Sequence, residues 1–345
     1  MKHTIGDLKQ MQSLPLAAKI RMTQRRIREW YDHWDGMVYV SFSGGKDSTV
    51  LKHIVDSMYD DVPAIFVNTG LEYPEIQKFA RAQKNVVVLR PEMRFDEVLR
   101  RYGYPVVSKE VSHAVYWARR TGTKSADWYM KRFNGELLTP DGRKSPYNIE
   151  KWKPLLQAPF SIHSQCCDVM KKKPIKAFAK ETGRKAIIGT MAQESRMRLT
   201  KWLKHGCNAY DSIEATSKPL SFWTEQDILH YIKRFNVSYC SVYGDIVVDT
   251  NPEFDGQTNI IDLLGDYQPT DKLKTTGCDR TGCIFCMFGC HLEKAPNRFQ
   301  RLKETHPRQY QYCIGGGEMV DGQWQPSKEG LGLGKVLDYI GVKYD

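Results

Sequence analysis

The chain has 345 residues, with 51 Lys and Arg against 40 Asp and Glu, a formal charge of +11 and nine cysteines. No apolar run reaches the roughly 18 residues that cross a membrane, and Met1-Lys2-His3-Thr4-Ile5-Gly6-Asp7 lacks the apolar core of a signal peptide. The chain is therefore expected in the cytoplasm without membrane contact, with its cysteines serving as metal ligands or reactive thiols, not disulfides. The length allows one large core plus a second lobe, and the charge favours an anionic partner such as DNA or RNA.

Residues 7–34 read as helical, with Leu8, Met11, Leu14, Ile20, Met22 and Ile27 spaced among Lys, Arg and Gln. From Val38 a β-branched and aromatic run feeds Ser43-Gly44-Gly45-Lys46-Asp47-Ser48 and then an apolar helical start. Two glycines let the backbone turn tightly and bring its N–H groups to an anion. The helix start adds its dipole, Ser43 and Ser48 add hydroxyl donors, and Lys46 adds a mobile charge for phosphate oxygens. Asp47 is suited to Mg²⁺, because a carboxylate beside phosphate is otherwise repulsive. The G-x-x-x-x-G-K-[ST] loop is absent.

Residues 62–70 predict a second strand ending in a Gly turn, Pro74–Gln83 a helix, and Val86–Leu89 a third strand. Residues 120–160 mix aromatic and basic side chains without periodicity and read as a substrate-facing excursion. Within 119–153, Arg119, Arg120, Lys124, Lys131 and Arg132 are expected to neutralise nucleic-acid phosphates, with Trp128, Tyr129 and Phe133 as faces for bases. A helix over 173–182, a strand at Lys185–Gly189 and a helix over Glu225–Phe235 capped by Thr224 follow. Strands alternating with helices predict an α/β fold with a doubly wound parallel sheet. The expected domains are a helical segment 1–35, a nucleotide-binding domain 36–240 and a Cys-rich lobe 241–345.

Cys278, Cys283, Cys286 and Cys290 follow C-x₄-C-x₂-C-x₃-C spacing, dense enough to converge on one soft metal. Zinc, with His291 as an alternative ligand, and an iron–sulfur cluster walled by Ile284, Phe285, Met287 and Phe288 both fit. The expectation is a [4Fe–4S] cluster on these four thiols. Cys207, Cys240 and Cys313 stand alone as small hydrophobes or surface thiols.

Ser43–Ser48 resembles the PP-loop of the ATP pyrophosphatases, which cleave ATP between the α- and β-phosphates. Asn68-Thr69-Gly70-Leu71-Glu72-Tyr73-Pro74 is similar to a turn of the phosphoadenosine phosphosulfate reductase family, with Asn68 in place of Asp. Cys166-Cys167-Asp168-Val169-Met170-Lys171, Gly189 through Arg198, and Pro219 through Ile228 resemble later segments of that family, in the same order. The resemblance implies a Rossmann-like fold that binds ATP at Ser41, Phe42, Ser43, Gly44, Gly45, Lys46, Asp47, Ser48, Thr69, Gly70, Gly189, Arg196 and Arg198. It implies catalytic roles for Lys46, Asp47, Cys166 and Cys167. In assimilatory reductases of the family a Cys-Cys pair and a distant C-x₂-C hold the cluster, and both pieces exist here as Cys166-Cys167 and Cys283/Cys286.

The layout is similar to DNA phosphorothioation sulfurtransferases and cluster-bearing tRNA thiolases. It implies an AMP- and pyrophosphate-forming enzyme that adenylylates an acceptor for sulfur transfer, supplied by a cysteine desulfurase-type donor. Two alternatives stand beside it. A sulfonucleotide reductase would need a C-terminal Glu-Cys-Gly-Ile/Leu-His nucleophile, of which Gly289-Cys290-His291 and Tyr312-Cys313-Ile314-Gly315 are the nearest relics. A non-catalytic zinc module binding nucleotide or nucleic acid would not need Lys46 and Asp47 in register.

Overall fold

The computed structural model describes residues 2–212, 214–249 and 271–345. Part of the expected lobe 241–345, residues 250–270, thus lies outside the described residues. Thr4 opens α1 (Ile5–Gln12) through a reciprocal capping box with Asp7. Pro15 starts α2 (Leu16–His33), so the expected single helix is two, because a proline cannot continue a helix across its own missing N–H. Then come β1 (Val38–Phe42), α3 (Lys46–Asp56), β2 (Ala64–Val67), α4 (Pro74–Ala82) and β3 (Val86–Leu89). The chain continues through α5 (Phe95–Tyr102), α6 (Lys109–Ala118), α7 (Lys124–Asn134), α8 (Lys173–Thr182), β4 (Lys185–Ile188) and α9 (Arg196–His205). It ends with β5 (Asn208–Ala209), β6 (Thr216–Ser217), α10 (Glu225–Phe235), β7 (Ile246–Val248), β8 (Leu273–Thr275), α11 (Arg298–Thr305), α12 (Pro307–Ile314), β9 (Glu318–Val320), β10 (Gln323–Gln325) and α13 (Leu333–Tyr339).

Two units emerge. The first comprises Met1–Asn68, Glu72–Arg90 and Pro174–Thr281, and the second Thr69–Leu71, Pro91–Lys173 and Gly282–Asp345. The first unit carries a six-stranded sheet in the order β3-β2-β1-β4-β6-β5, parallel except for the β5–β6 pair. Side chains alternate across it: Val38, Val40, Phe42, Ala64, Phe66 and Ile187 enter the larger core with α2, α3, α4 and α10. Tyr39, Ile65 and Ala186 face the other way, against Ile175 and Phe178 of α8. The fold is α/β, with a mainly parallel, doubly wound sheet. The helical residues 1–35 share the larger core with the sheet through Leu8, Leu16, Ile27 and Trp30. Lys19 on α2, itself buried, is held by both oxygens of Asp227 at 2.8 and 2.7 Å. The same Asp227 caps α10 through Thr224.

In the second unit, α6 and α7 form part of an ordered helical assembly, where the sequence reading expected an excursion. Phe133 is fully buried, and the Arg132 guanidinium is buried beside Glu110 and donates to the Tyr147 carbonyl at 2.8 Å. Arg119 donates to the carbonyls of Leu155, Leu156, Ala158 and Phe160, the last at 2.8 Å. Neither cation is free for phosphate. Periodicity was obscured because two of the inward-facing side chains are arginines paired inside the unit.

Candidate functional site

In the first unit, β2 and β3 lie on one side of β1 while β4 and β6 lie on the other. Ligands of such sheets bind at this point of reversal, beyond the carboxyl ends of the strands. A cavity of about 570 Å³ occurs there, floored by Ser41 and Ser43 at the end of β1 and by Ile188 and Gly189 at the end of β4. Gly45, Lys46, Asp47 and Ser48 line it from the start of α3, and Arg198 from α9. Phe42 is buried in the core, and Phe42, Gly44 and Arg196 are not among the lining residues. Thr69 and Gly70 belong to the second unit, where the Thr69 hydroxyl accepts the Leu71 amide at 3.2 Å.

Local chemistry shapes this loop. Gly44 adopts φ +73°, and a Cβ there would come within 2.9 Å of Ile76 Cγ2. A Cβ at Gly189 would meet the Asp47 carbonyl at 3.1 Å, so the β4 turn and the α3 start approach closely only because it is glycine. The Ser43 amide donates to Ser48 Oγ at 3.2 Å, and Ser48 Oγ donates to the Gly45 carbonyl at 2.9 Å. These bonds hold the loop with its amides gathered at the helix start.

Lys46 is buried, and its ammonium donates to the Asp279 carbonyl at 2.7 Å and pairs with Glu225 at 3.0 Å. Its amide donates to the Tyr243 hydroxyl at 3.2 Å, which in turn bonds Thr281 Oγ1 at 2.6 Å. Asp47 Oδ1 is buried without a hydrogen-bond partner. Burial pushes the Asp47 carboxyl up to about 6; Lys46 opposes the shift, while Glu194 and Glu225 add to it. An orphaned carboxylate oxygen on a phosphate-sized cavity fits a Mg²⁺ ligand. Arg198 pairs with Glu194.

Glu225, Tyr243, Arg280 and Thr281 also line the cavity, and the sequence reading missed all four. Glu225 had a signal, as the first residue after the Thr224 cap; the other three are brought in only by tertiary folding.

The second unit gathers thiols. Cys166 and Cys167 precede a π-helical turn at Asp168–Lys172, a feature that recurs at functional sites. Cys283 and Cys286 form a tight turn in which the Cys286 amide donates to the Cys283 carbonyl at 3.0 Å. All four thiols line one small, mostly apolar cavity of about 20 Å³ with Leu71, Phe95, Pro105, Met170, Lys171 and Phe285. Cys166 and Cys167 Sγ are 3.9 Å apart. The Cys166 thiol donates to Cys167, raising the pKa of Cys166 and lowering that of Cys167; Lys109 and Lys171 add to the lowering.

Of the expected quartet, Cys283 and Cys286 line this cavity and Cys278 and Cys290 do not. Cys278 belongs to the first unit, where its amide donates to the Val242 carbonyl at 3.0 Å. Cys290 is buried, its thiol donating to the Met287 carbonyl at 3.0 Å and pushed up to about 11 by burial. His291 stacks edge-on against Trp152 and does not line the thiol cavity. Among the described residues no three Cys, His, Asp or Glu side chains stand as a ready metal-ligand group. The donor chemistry of Cys166, Cys167, Cys283 and Cys286, four thiols in an apolar surround, fits a soft metal centre. The space between them is about 20 Å³, room for about one water.

No described helix is long and apolar enough to cross a membrane. A protein of Methanocaldococcus jannaschii without an assigned function is 24% identical over 310 residues, covering 87% of this chain and 48% of its own length. The chain thus spans about half the length of that relative. An adenosine 5'-phosphosulfate reductase of Anoxybacillus flavithermus is 22% identical over 234 residues, covering 68% of this chain and 78% of its own. The crystal structure of phosphoadenylyl-sulfate reductase from Candida auris, in its phosphate complex, aligns with a TM-score of 0.36 at 14% identity, covering 70% of this chain and 91% of that one. The profile of the phosphoadenosine phosphosulfate reductase domain matches residues 37–114 and 140–287, a span that takes in the glycine loop, Gly189, Arg198 and all four cavity cysteines. By that match the chain belongs to the phosphoadenosine phosphosulfate reductase domain family.

Proposed function

We propose that the protein is an ATP-dependent enzyme of sulfur metabolism that releases pyrophosphate and forms AMP while activating an acceptor for sulfur transfer. The observation that carries this is Asp47 Oδ1, buried and unpartnered beside Lys46 on a cavity with room for a nucleotide. Loop amides, Ser43 and Ser48 would bind the β- and γ-phosphates. Lys46 would exchange the Asp279 carbonyl and Glu225 for phosphate oxygens, and Asp47 would hold Mg²⁺. Arg198 and Arg280 supply further positive charge at the cavity wall. Cys166, Cys167, Cys283 and Cys286 would hold an iron–sulfur centre in the second unit. Bound there, a cluster would supply a site for sulfide or electrons. Zinc on the same thiols is the alternative that metal analysis separates.

A family reductase would instead attack its sulfonucleotide with a mobile cysteine. The two relics of that motif argue for the first reading: Cys290 is buried and hydrogen-bonded, and Cys313 is fully buried with its thiol pushed well up by burial. The test is product analysis of anaerobically prepared protein with labelled ATP–Mg²⁺. AMP and pyrophosphate support the proposal, whereas ADP and orthophosphate alone would overturn it. Sulfite formed from a sulfonucleotide would establish the reductase.

A further inference from the structure

The cavity of the first unit opens beside a helix whose outer face is positive. Arg198, Lys201 and His205 follow i, i+3, i+7 spacing on α9, so they form one stripe, with Lys204 beside it. The flank that Trp202 shares with Arg198 and His205 is fixed in the core: Trp202 is buried, Leu199 and Leu203 pack against the same cluster, and His3 stacks on Trp202 at 4.9 Å. The stripe is thereby turned outward along its Lys201–Lys204 edge, where both lysines are exposed. At 1.5 Å per residue it runs about 10 Å from Arg198, which lines the cavity, to His205.

Lys218 joins this field from the adjoining chain after β6. Burial lowers its ammonium pKa, and the charges of Lys201 and Arg198 lower it further. His205 is likewise lowered, first by burial and then by Lys204, Lys2, Lys218 and Lys201. Arg198 pairs with Glu194, but among the described residues Lys2, Lys201, Lys204 and Lys218 have no acidic ion-pair partner. Like charges gathered without counter-charges cost stability unless an anion meets them. Of this field, a single nucleotide in the cavity would be met by Arg198 alone. A stripe leading away from the cavity fits a chain of phosphates.

We infer that α9, through Lys201 and Lys204 with Lys218, is the docking track for the phosphate backbone of a nucleic-acid acceptor, leading to the nucleotide cavity at Arg198. This inference rests on the acceptor-activating reading above. It assigns the track to α9 and not to residues 119–153, where Arg119 and Arg132 are spent on internal bonds.

The experiment measures binding of the full chain to one single-stranded sequence, made as DNA and as RNA, between about 50 and 200 mM salt. Lys201→Glu/Lys204→Glu/Lys218→Glu is compared with Lys124→Glu/Lys131→Glu/Lys153→Glu, which changes net charge equally. A neutral variant, Lys201→Gln/Lys204→Gln/Lys218→Gln, covers the case where charge reversal unfolds the protein. The expected result is at least a tenfold loss of affinity for the α9 variants and a fall of about 2 in the slope of log affinity against log salt. The control variant stays near the parent. DNA and RNA arms identify which nucleic acid is held more tightly. Equal losses in both sets, or no loss in the α9 variants, would overturn the inference, as would a parent that binds neither strand. Acceptor-free pyrophosphate release is read in parallel: if it is absent while the α9 pattern holds, the catalytic reading fails and the track stands.

Discussion

The Lys46 ammonium donates to the Asp279 main-chain carbonyl at 2.7 Å. With Glu225 at 3.0 Å as its second partner, this cation is already neutralised within the glycine loop. On the proposed reading, phosphate would compete with a carboxylate that is half exposed, where solvent screens its hold on the buried ammonium. The arrangement keeps a buried ammonium satisfied while leaving it free to exchange partners when a more highly charged ligand arrives.

Replacing Lys46 by Ala is expected to lower kcat/KM for pyrophosphate release by about 2–4 kcal/mol of transition-state stabilisation. Circular dichroism should remain unchanged. The check is steady-state pyrophosphate formation at saturating Mg²⁺, and a variant within threefold of the parent would remove Lys46 from the mechanism.

Cys167→Ser and Cys283→Ser are expected to remove the visible chromophore of anaerobically purified protein and to lower bound iron. Cys278→Ser and Cys290→Ala should retain both. The reason is the shared apolar cavity of the first pair and the separate surroundings of the second. Iron and sulfide assays decide it. A chromophore lost at Cys278 and kept at Cys167 would restore the compact C-terminal quartet.

Arg119→Ala should destabilise the protein by about 2–3 kcal/mol, because four carbonyls of residues 155–160 lose their donor. Urea denaturation measures this. Nucleic-acid affinity under native conditions should be unaffected, in contrast to the α9 variants.

Stability should fall as pH drops below about 6.5. Burial lowers the pKa of His53 and of His230 in the folded chain; Asp56 opposes the shift at His53 and Asp227 opposes it at His230. The unfolded chain then takes up protons first, so the stabilisation present above the ordinary histidine pKa is lost on the way down to the folded one. Asp47 acts with opposite sign, its raised carboxyl favouring the folded state at low pH and losing that contribution towards about 6. His53→Gln should therefore flatten the fall in melting temperature between pH 7 and 5, and an unchanged profile would exclude His53 as a contributor.

What the sequence made legible was local. The loop Ser43–Ser48, the strand Val86–Leu89 and the capped helix Glu225–Phe235 each carry their determinants within a few residues, and all three appear where periodicity and capping put them. The approach of Cys166 and Cys167 to Cys283 and Cys286 spans more than a hundred positions, so proximity in sequence favoured Cys278 and Cys290, which do not line that cavity. Tyr243 and Arg280 carry no local mark at all, since their place at the phosphate loop depends on how the chain returns to it. In α7 the inward-facing Arg132 imitated a surface residue.

Asp227 joins two matters that look unrelated. Its Oδ2 receives the Thr224 amide at 2.7 Å and the Thr224 hydroxyl at 2.8 Å, while Lys19 reaches both of its oxygens. It therefore anchors the very turn from which Glu225 extends to Lys46. An N-terminal deletion through α2 would strip the cation from this carboxylate and loosen that turn, and the damage would surface as weaker nucleotide affinity some two hundred positions downstream. For anyone trimming the protein for crystals or fusing a reporter to a shortened start, the first thirty-odd residues are a component of the suspension of the cavity at Lys46.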